Sequence, residues 1–362
     1  MIRVAIVGCG IIGRNHAAAI LRHPRLTIST VVDPVAEARD RMAAQVSGHT
    51  GGPPPVAHAT LAAALAEAVD LVAICTPSGL HGGAAEQVVT AGRHLAIEKP
   101  VEVSLPRARR LARLAAEAES RGLVCSVISQ HRFDPASAAV KLAVVDGRLG
   151  RLTSAVATVP WWRGQDYYDS AQWRGTWAFD GGGAVLNQGV HTVDLLVWLL
   201  GRPQDVFAYT ARLAHERIEV EDVAVAAIRF GSGALAALHA TTGAYPGLPA
   251  RIAVHGSLGS AVIHDDQLEF FGAGPDGAAA AVPAGERYGA AKPEDGFVLG
   301  HLRQYADIVA AIEAGRPASI GVHDGLVALA VVRAIYLSAT LGRPIPIDHV
   351  LQGGYDQVPV TV

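Results

Sequence analysis

The chain has 362 residues, half of them hydrophobic, a formal net charge of −3 and three cysteines. That length exceeds one typical domain and is enough to bury a sizeable core, so two domains are expected. The nearly balanced charge excludes nucleic acid or an anionic membrane surface held by bulk electrostatics. Cys9, Cys75 and Cys125 are far apart and form no Cys-x-x-Cys pair, which excludes a disulfide framework and points away from a zinc site.

Met1 leads straight into RVAIVG, with no basic segment, apolar stretch and cleavage site of a secretory leader. No run of about 18 apolar residues stands out as a membrane span. A cytoplasmic location is expected. In the first third, RVAIVG, LTISTVVD, DLVAIC and HLAIEK alternate with Ala-rich helical stretches, the pattern of a parallel, doubly wound α/β sheet. SGHTGGPPPV (47–56) reads as a surface loop. LVCSVIS (123–129) follows a helix from about Leu105 and reads as a further strand. The expected division is a dinucleotide-binding domain over 1–124 and a substrate-binding and oligomerisation domain over 125–362.

GCGIIG comes directly after the first strand and opens a helix, the context of a dinucleotide fingerprint. Gly8 permits the tight turn, Gly10 lets backbone approach a pyrophosphate, and Gly13 allows helix and strand to touch. Ile11 and Ile12 open the helix whose free N–H groups would face the phosphates. Asp33 stands about twenty residues on, where a carboxylate accepts the adenosine ribose hydroxyls and repels a 2′-phosphate. NAD is therefore expected rather than NADP, although Arg39 is close enough in sequence to relax the choice. TPSGLH (Thr76, Pro77, His81) and EKP (Glu98, Lys99, Pro100) follow the next strands, at the edge where ligands bind in such sheets. Lys99 is one of only three lysines in a chain that otherwise uses Arg. An ammonium can be tuned as a guanidinium cannot, but alone Lys99 also reads as a solvated loop residue.

Beyond residue 150 the texture changes. RLTSAVATV, DVFAYTARL, VAVAAIRF, ALAALHATT, RIAVHGS and SAVIHD are strand candidates joined by short turns, an antiparallel meander within an α+β domain. PWWRGQDYYDSAQWRGTW (160–177) holds four of the five tryptophans. Arg163 and Tyr168 are the candidates there to face substrate, with Gln130 and Arg132 of QHR as secondary ones. In GGGAVLNQGVHTVD (181–194), Asn187, His191 and Asp194 recur at helical intervals, so one helix face is expected to present an amide, an imidazole and a carboxylate. His191 alone reads more readily as a core histidine. Residues 272–296 are expected to form a loop. Two helices follow, from about Val298 to near Gly315 and from about Asp324 to Gly342.

GCGIIGRNH, VVDP, TPSGLHGGAAEQVVTAGRHLAIEKP, QHRFDP and GGGAVLNQGVHTVDLLVWLLG together resemble the glucose–fructose oxidoreductase, inositol dehydrogenase and rhizopine-catabolism family, in order and over most of the chain. The resemblance implies a Rossmann domain, a large open-faced, mainly antiparallel sheet in the second domain, and a bound NAD. It also implies a homodimer or homotetramer formed through that sheet, with Lys99 and His191 catalytic. Its members exchange hydride with a secondary alcohol or ketone of a sugar or cyclitol. His191 has the proton affinity to take the alcohol proton, and Lys99 would stabilise the alkoxide. Asn187 departs from the Asp that inositol dehydrogenases carry and points towards C3 of hexopyranosides or nucleotide sugars. The role of Asp194 stays open, between orienting its neighbours and being purely structural. Neither a metal nor a nucleic-acid partner is expected. The alternatives are inositol dehydrogenase, an NAD-dependent redox-elimination glycoside hydrolase, and a non-catalytic NAD- or sugar-sensing module.

Overall fold

The computed structural model describes residues 1–273 and 295–361, so most of the loop expected over 272–296 lies outside the described residues. The described chain forms two compact units, one of 1–130 with 295–326, the other of 131–273 with 327–361.

In the first unit the chain runs β1 (Ile2–Val7), α1 (Ile11–Leu21), β2 (Leu26–Val32), α2 (Ala36–Thr50), β3 (Val56–His58) and α3 (Leu61–Leu65). It continues through β4 (Leu71–Ile74), α4 (His81–Thr90), β5 (His94–Ile97), α5 (Leu105–Glu119) and β6 (Cys125–Val127). The sheet order is β3-β2-β1-β4-β5-β6 and every pair is parallel. Helices cover both faces of such a sheet, so its central strands are apolar throughout rather than alternating: all four residues of β4 are buried.

The second unit contains α6 (Pro135–Val145), β7 (Leu152–Pro160), α7 (Gln165–Asp169), a π-helical turn at Ala184–Gln188, and α8 (Val190–Leu200). Strands β8 (Pro203–Ala211), β9 (Val223–Phe230), β10 (Leu235–Thr241), β11 (Arg251–Gly256), β12 (Gly259–His264) and β13 (Gln267–Ala273) follow. After the undescribed stretch come α9 (Gly296–Ala314), α10 (Val322–Leu341), β14 (Ile345–Pro346) and α11 (Ile347–Leu351). The eight-stranded sheet has the order β13-β12-β11-β7-β10-β9-β8-β14, antiparallel except where β10 runs parallel to β7. Along β9, Ala224, Ala226 and Ile228 are buried while Val225, Ala227 and Arg229 are exposed. This period of two gives the sheet one packed face and one open face; α8 packs against β7, and α6 against β12 and β13.

Two helices repay closer reading. α9 returns to the first unit, where Tyr305, Ile308, Val309 and Ala311 join the core around Val4, Ile6 and Ala73. The side chain of Gln304 stitches it to the end of β6, accepting from Ser129 N and donating to the carbonyl of Val127. α10 has the length and hydropathy of a membrane span, but 61% of its most apolar window is buried inside the protein. It is a core helix.

Candidate active site

Each glycine of the first loop has a separate geometric reason. Gly8 has φ +98°, and a Cβ there would lie 2.6 Å from the carbonyl oxygen of Cys75. A Cβ on Gly13 would sit 1.9 Å from the carbonyl oxygen of Gly8. Gly10, by contrast, has nothing within 4 Å of its virtual Cβ. Gly8 and Gly13 are thus required by packing, and Gly10 leaves an open approach to the N-terminus of α1, whose first N–H groups have no intrahelical acceptor. Asp33 accepts hydrogen bonds from Cys9 N (2.8 Å) and Val35 N (2.9 Å), tying the glycine loop to the end of β2. Arg39 donates to the Asp33 carbonyl. Thr76 Oγ1 is buried and has no partner among the described residues. An open glycine, a helix N-terminus, a carboxylate after β2 and an orphaned hydroxyl fit a dinucleotide.

The EKP segment follows β5, and the Lys99–Pro100 peptide is cis. Glu98 is buried; it accepts from its neighbour's Lys99 N (3.0 Å) through Oε2 and faces His16 Nε2 (2.9 Å) and His301 Nε2 (3.4 Å) through Oε1. Burial alone would raise this carboxyl, but the hydrogen bonds from His16 and His301 hold it well below the ordinary range. His16 Nδ1 continues to the Tyr305 hydroxyl (2.6 Å), and His301 Nδ1 donates to the carbonyl of Phe297 (2.8 Å). The spacing of His16, Glu98 and His301 also suits a metal, but the protein's own hydrogen bonds occupy these atoms. The network anchors the backbone from which Lys99 projects. His81, expected to bind cofactor, braces the two loops instead: Nδ1 meets the Pro100 carbonyl (2.7 Å), Nε2 the Thr76 carbonyl (2.8 Å), and the ring is buried. With both nitrogens engaged, it has no donor or acceptor to offer a ligand. Gln130 is also buried, and its Oε1 has no partner among the described residues.

In the second unit, the expected single helix face over 181–194 is broken. The chain makes a π turn over Ala184–Gln188, and the α-helix starts only at Val190. Just before the turn only glycine fits: Cβ atoms on Gly182 and Gly183 would fall 2.2 Å from the Tyr336 hydroxyl oxygen and 1.7 Å from the Glu221 carbonyl oxygen. Glu221, fully buried, clamps the turn: it accepts from Gly183 N (2.9 Å), Val185 N (2.8 Å) and the Tyr336 hydroxyl (2.9 Å). Burial pushes its carboxyl up to about 7 against those hydrogen bonds. π turns frequently mark functional positions, and this one carries Asn187, whose Nδ2 donates to Asp180 (3.1 Å).

His191, one turn further on, is half-buried with its ring edge-on to His131 (centroids 4.9 Å apart). Burial would lower the His131 pKa, but the carboxylates of Asp134 (2.7 Å) and Asp266 (3.3 Å) raise it to about 10, so this ring is cationic at neutral pH. Arg132 grips Asp194 through Nε (2.8 Å) and Nη2 (2.5 Å) in a buried bidentate pair. This pair engages Arg132, which was a substrate candidate, with Asp194, whose role the sequence left open.

Tyr168 also departs from expectation. It is buried, its hydroxyl hydrogen-bonded to Thr242 Oγ1 (3.0 Å) and its ring against His215. It backs the aromatic wall and does not face a ligand. Arg163 lies on that wall, its guanidinium over Trp161 and Tyr167, donating to Gln188 Oε1 (3.0 Å). Behind it, Asp222 caps Leu213 N, Ala214 N and His215 N, and His215 Nε2 donates to the Arg163 carbonyl (2.8 Å). Two neighbouring buried carboxylates, Glu221 and Asp222, therefore organise the His191 segment and the aromatic wall respectively. Sequence reading missed both, along with His16, His301 and His131. Glu-Asp immediately before a strand of alternating apolar residues was the available signal for the carboxylate pair.

Residues 2–127 match the model of the oxidoreductase family with an NAD-binding Rossmann fold, and residues 137–262 that of the GFO/IDH/MocA C-terminal domain. The WlbA dehydrogenase of Bordetella pertussis, solved in complex with NADH and UDP-GlcNAcA, is 34% identical with a TM-score of 0.83, covering 95% of this chain and 97% of that one. Inositol 2-dehydrogenase of Rhizobium meliloti is 28% identical over 357 residues, 96% of this chain and 99% of the relative. Levoglucosan dehydrogenase, in complex with NADH and levoglucosan, shares the fold (TM-score 0.85, 20% identity, 96% of this chain and 99% of that one). The chain belongs to the GFO/IDH/MocA family of NAD-binding oxidoreductases.

Proposed function

We propose that this oxidoreductase transfers hydride between NAD and a secondary alcohol or ketone of a pyranoside, at C3, or of a cyclitol, with Lys99, His191 and Asn187 as its catalytic residues. The observation that carries the reading is the Glu98 network: a buried carboxylate with three protein donors holds the backbone of Lys99 at the sheet edge next to the glycine loop. Gly8, Gly10, Ile11, Ile12 and Gly13 cradle the pyrophosphate. Asp33 takes the ribose hydroxyls, and Thr76, Pro77 and Glu98 complete that site. When bound, the nicotinamide accepts or returns the hydride. His191 takes the alcohol proton on oxidation and returns it on reduction. The Lys99 ammonium hydrogen-bonds the same oxygen and stabilises its developing negative charge. Asn187, oriented by Asp180, cannot take a proton and hydrogen-bonds a substrate hydroxyl. Arg163 and Gln130 contact the sugar; Tyr168 backs the aromatic wall through Tyr167 and His215, and Arg132 is held by Asp194.

The sugar ligand of the Bordetella relative supports a pyranoside, and the inositol 2-dehydrogenase supports a cyclitol. The test is a panel of inositols, methyl glucosides and nucleotide sugars followed at the nicotinamide absorbance band. Reduction of NAD by at least one class is expected. Failure of every member, together with no isotope exchange between NADH and any of them, refutes the proposal.

The open face of the sheet is apolar where a solvated antiparallel face would be polar. Val156, Tyr209, Val225 and Leu235 are exposed on it, and Tyr209 stands opposite Val225 in register. A second copy of the chain is the proposed occupant, as the family resemblance implies, forming a homodimer or homotetramer. Val225→Glu is expected to convert the assembly to monomer in sedimentation; an unchanged sedimentation coefficient sinks this assignment. Three free, buried cysteines are in keeping with a reducing cytoplasm.

A further inference from the structure

Arg163 and Arg174 lie over the same aromatic ring: the guanidinium carbons are 5.3 and 4.1 Å from the Tyr167 centroid. Arg163 also covers Trp161 (5.3 Å), and Arg174 covers Trp173 (4.7 Å). Neither has a carboxylate partner among the described residues. Arg163 donates to neutral acceptors, the Trp162 carbonyl (3.1 Å) and Gln188 Oε1. Arg174 Nε is buried and has no hydrogen-bond partner among the described residues. Three acids near them in the chain are directed elsewhere, Asp169 pairing with Arg217 (2.8 Å), Asp180 accepting from Gly175 N (2.6 Å) and Glu219 from Trp177 N (3.0 Å), while Asp166 is exposed and makes no ion pair with either arginine. Two like charges on one ring, partly withdrawn from water, repel one another unless an anion lies between or beside them. The aromatic rings cover the guanidinium faces, so the N–H groups not already spent on Trp162 and Gln188 are left to select a planar or tetrahedral oxyanion. Gln188, bonded to Arg163 and 3.4 Å from the Tyr167 hydroxyl, immediately follows Asn187, so this cationic ladder is built onto the segment that carries the proposed catalytic amide.

We infer that Arg163 and Arg174 form an anion subsite, and that the substrate is a negatively charged sugar bearing a carboxylate or a phosphoryl group. This rests on the dehydrogenase reading for the word substrate, but the subsite is testable by binding alone. Calorimetric titration of the NAD-saturated protein compares methyl glucoside, methyl glucuronide and glucose 1-phosphate. One anionic ligand is expected to bind at least tenfold more tightly than methyl glucoside, and which one distinguishes carboxylate from phosphoryl recognition. Arg174→Gln is expected to bring that preference close to unity, Arg174→Lys to retain part of it, and raising the salt from 50 to 500 mM to weaken the anion several-fold. Tryptophan fluorescence during thermal unfolding confirms that both variants fold. Equal affinity for neutral and charged ligands, no binding of either anion, or a preference that survives Arg174→Gln overturns the inference. Oxidation of neutral sugars without anion preference would leave the dehydrogenase standing and this subsite refuted. Arg174-dependent anion binding with no sugar oxidised would do the reverse.

Discussion

Glu221→Gln separates the charge of the buried clamp from its shape. The carboxyl is raised from 4.5 to about 7 in the folded protein, chiefly by burial. That difference corresponds to about 3 kcal/mol of linkage free energy. Because the folded state holds the proton more tightly than the unfolded chain, this stabilisation is fully present below pH about 4.5. It is lost as the pH rises through about 7. A glutamine stays neutral throughout. With its oxygen facing Val185 N and the Tyr336 hydroxyl, its amino group faces Gly183 N–H, setting donor against donor at a cost of about 1–3 kcal/mol. That offset does not vary with pH, and other titrating groups cancel in the comparison. From pH 4.5 to 8 the variant should therefore gain about 3 kcal/mol relative to wild type. Urea unfolding reads this directly, since Trp161, Trp162, Trp173, Trp177 and Trp198 all lie in the second unit and their fluorescence reports that unit. A stability difference that stays flat across this range would refute the assigned environment of Glu221.

Asp33→Ala should narrow the preference for NAD over NADP by removing the negative charge from the ribose site. It should also weaken NAD binding modestly by releasing Cys9 N; unchanged affinities for both cofactors would contradict its role. Arg132→Ala leaves Asp194 buried without its bidentate partner and should cost about 3–5 kcal/mol in the same fluorescence assay. A loss below 1 kcal/mol would mean that the pair is not closed in solution.

What was legible in the sequence was local. The strand–GCGIIG–helix run, Asp33 at the end of β2, and EKP after β5 each depend on residues a few positions apart, so their spacing reveals the geometry. The partners that complete them were not legible. Glu98 meets His16, 82 residues away, and His301, 203 residues away, and Tyr305 reaches back 289 residues to His16. No periodicity in α9 announces that it returns to the first unit. The regular spacing of Asn187, His191 and Asp194 was real, but the inference of one continuous helix failed. The close approach of Gly182 and Gly183 to Tyr336 and Glu221, and the Glu221 clamp on Gly183 N and Val185 N, are tertiary contacts that residue spacing does not reveal. Tyr168 misled for a related reason: an aromatic run shows that a wall exists, while only packing decides which rings line it and which stand behind.

The central claim is that Lys99 acts on the reacting oxygen and not on the cofactor. It is tested by measuring, for wild type and Lys99→Ala, both NAD affinity by calorimetry and turnover at the nicotinamide absorbance band, with the best substrate of the panel. Turnover should fall by at least a thousandfold, about 4 kcal/mol of transition-state stabilisation, while the dissociation constant for NAD stays within a few-fold. Turnover within tenfold of wild type, or a loss of activity matched by an equal loss of NAD affinity, would contradict the account.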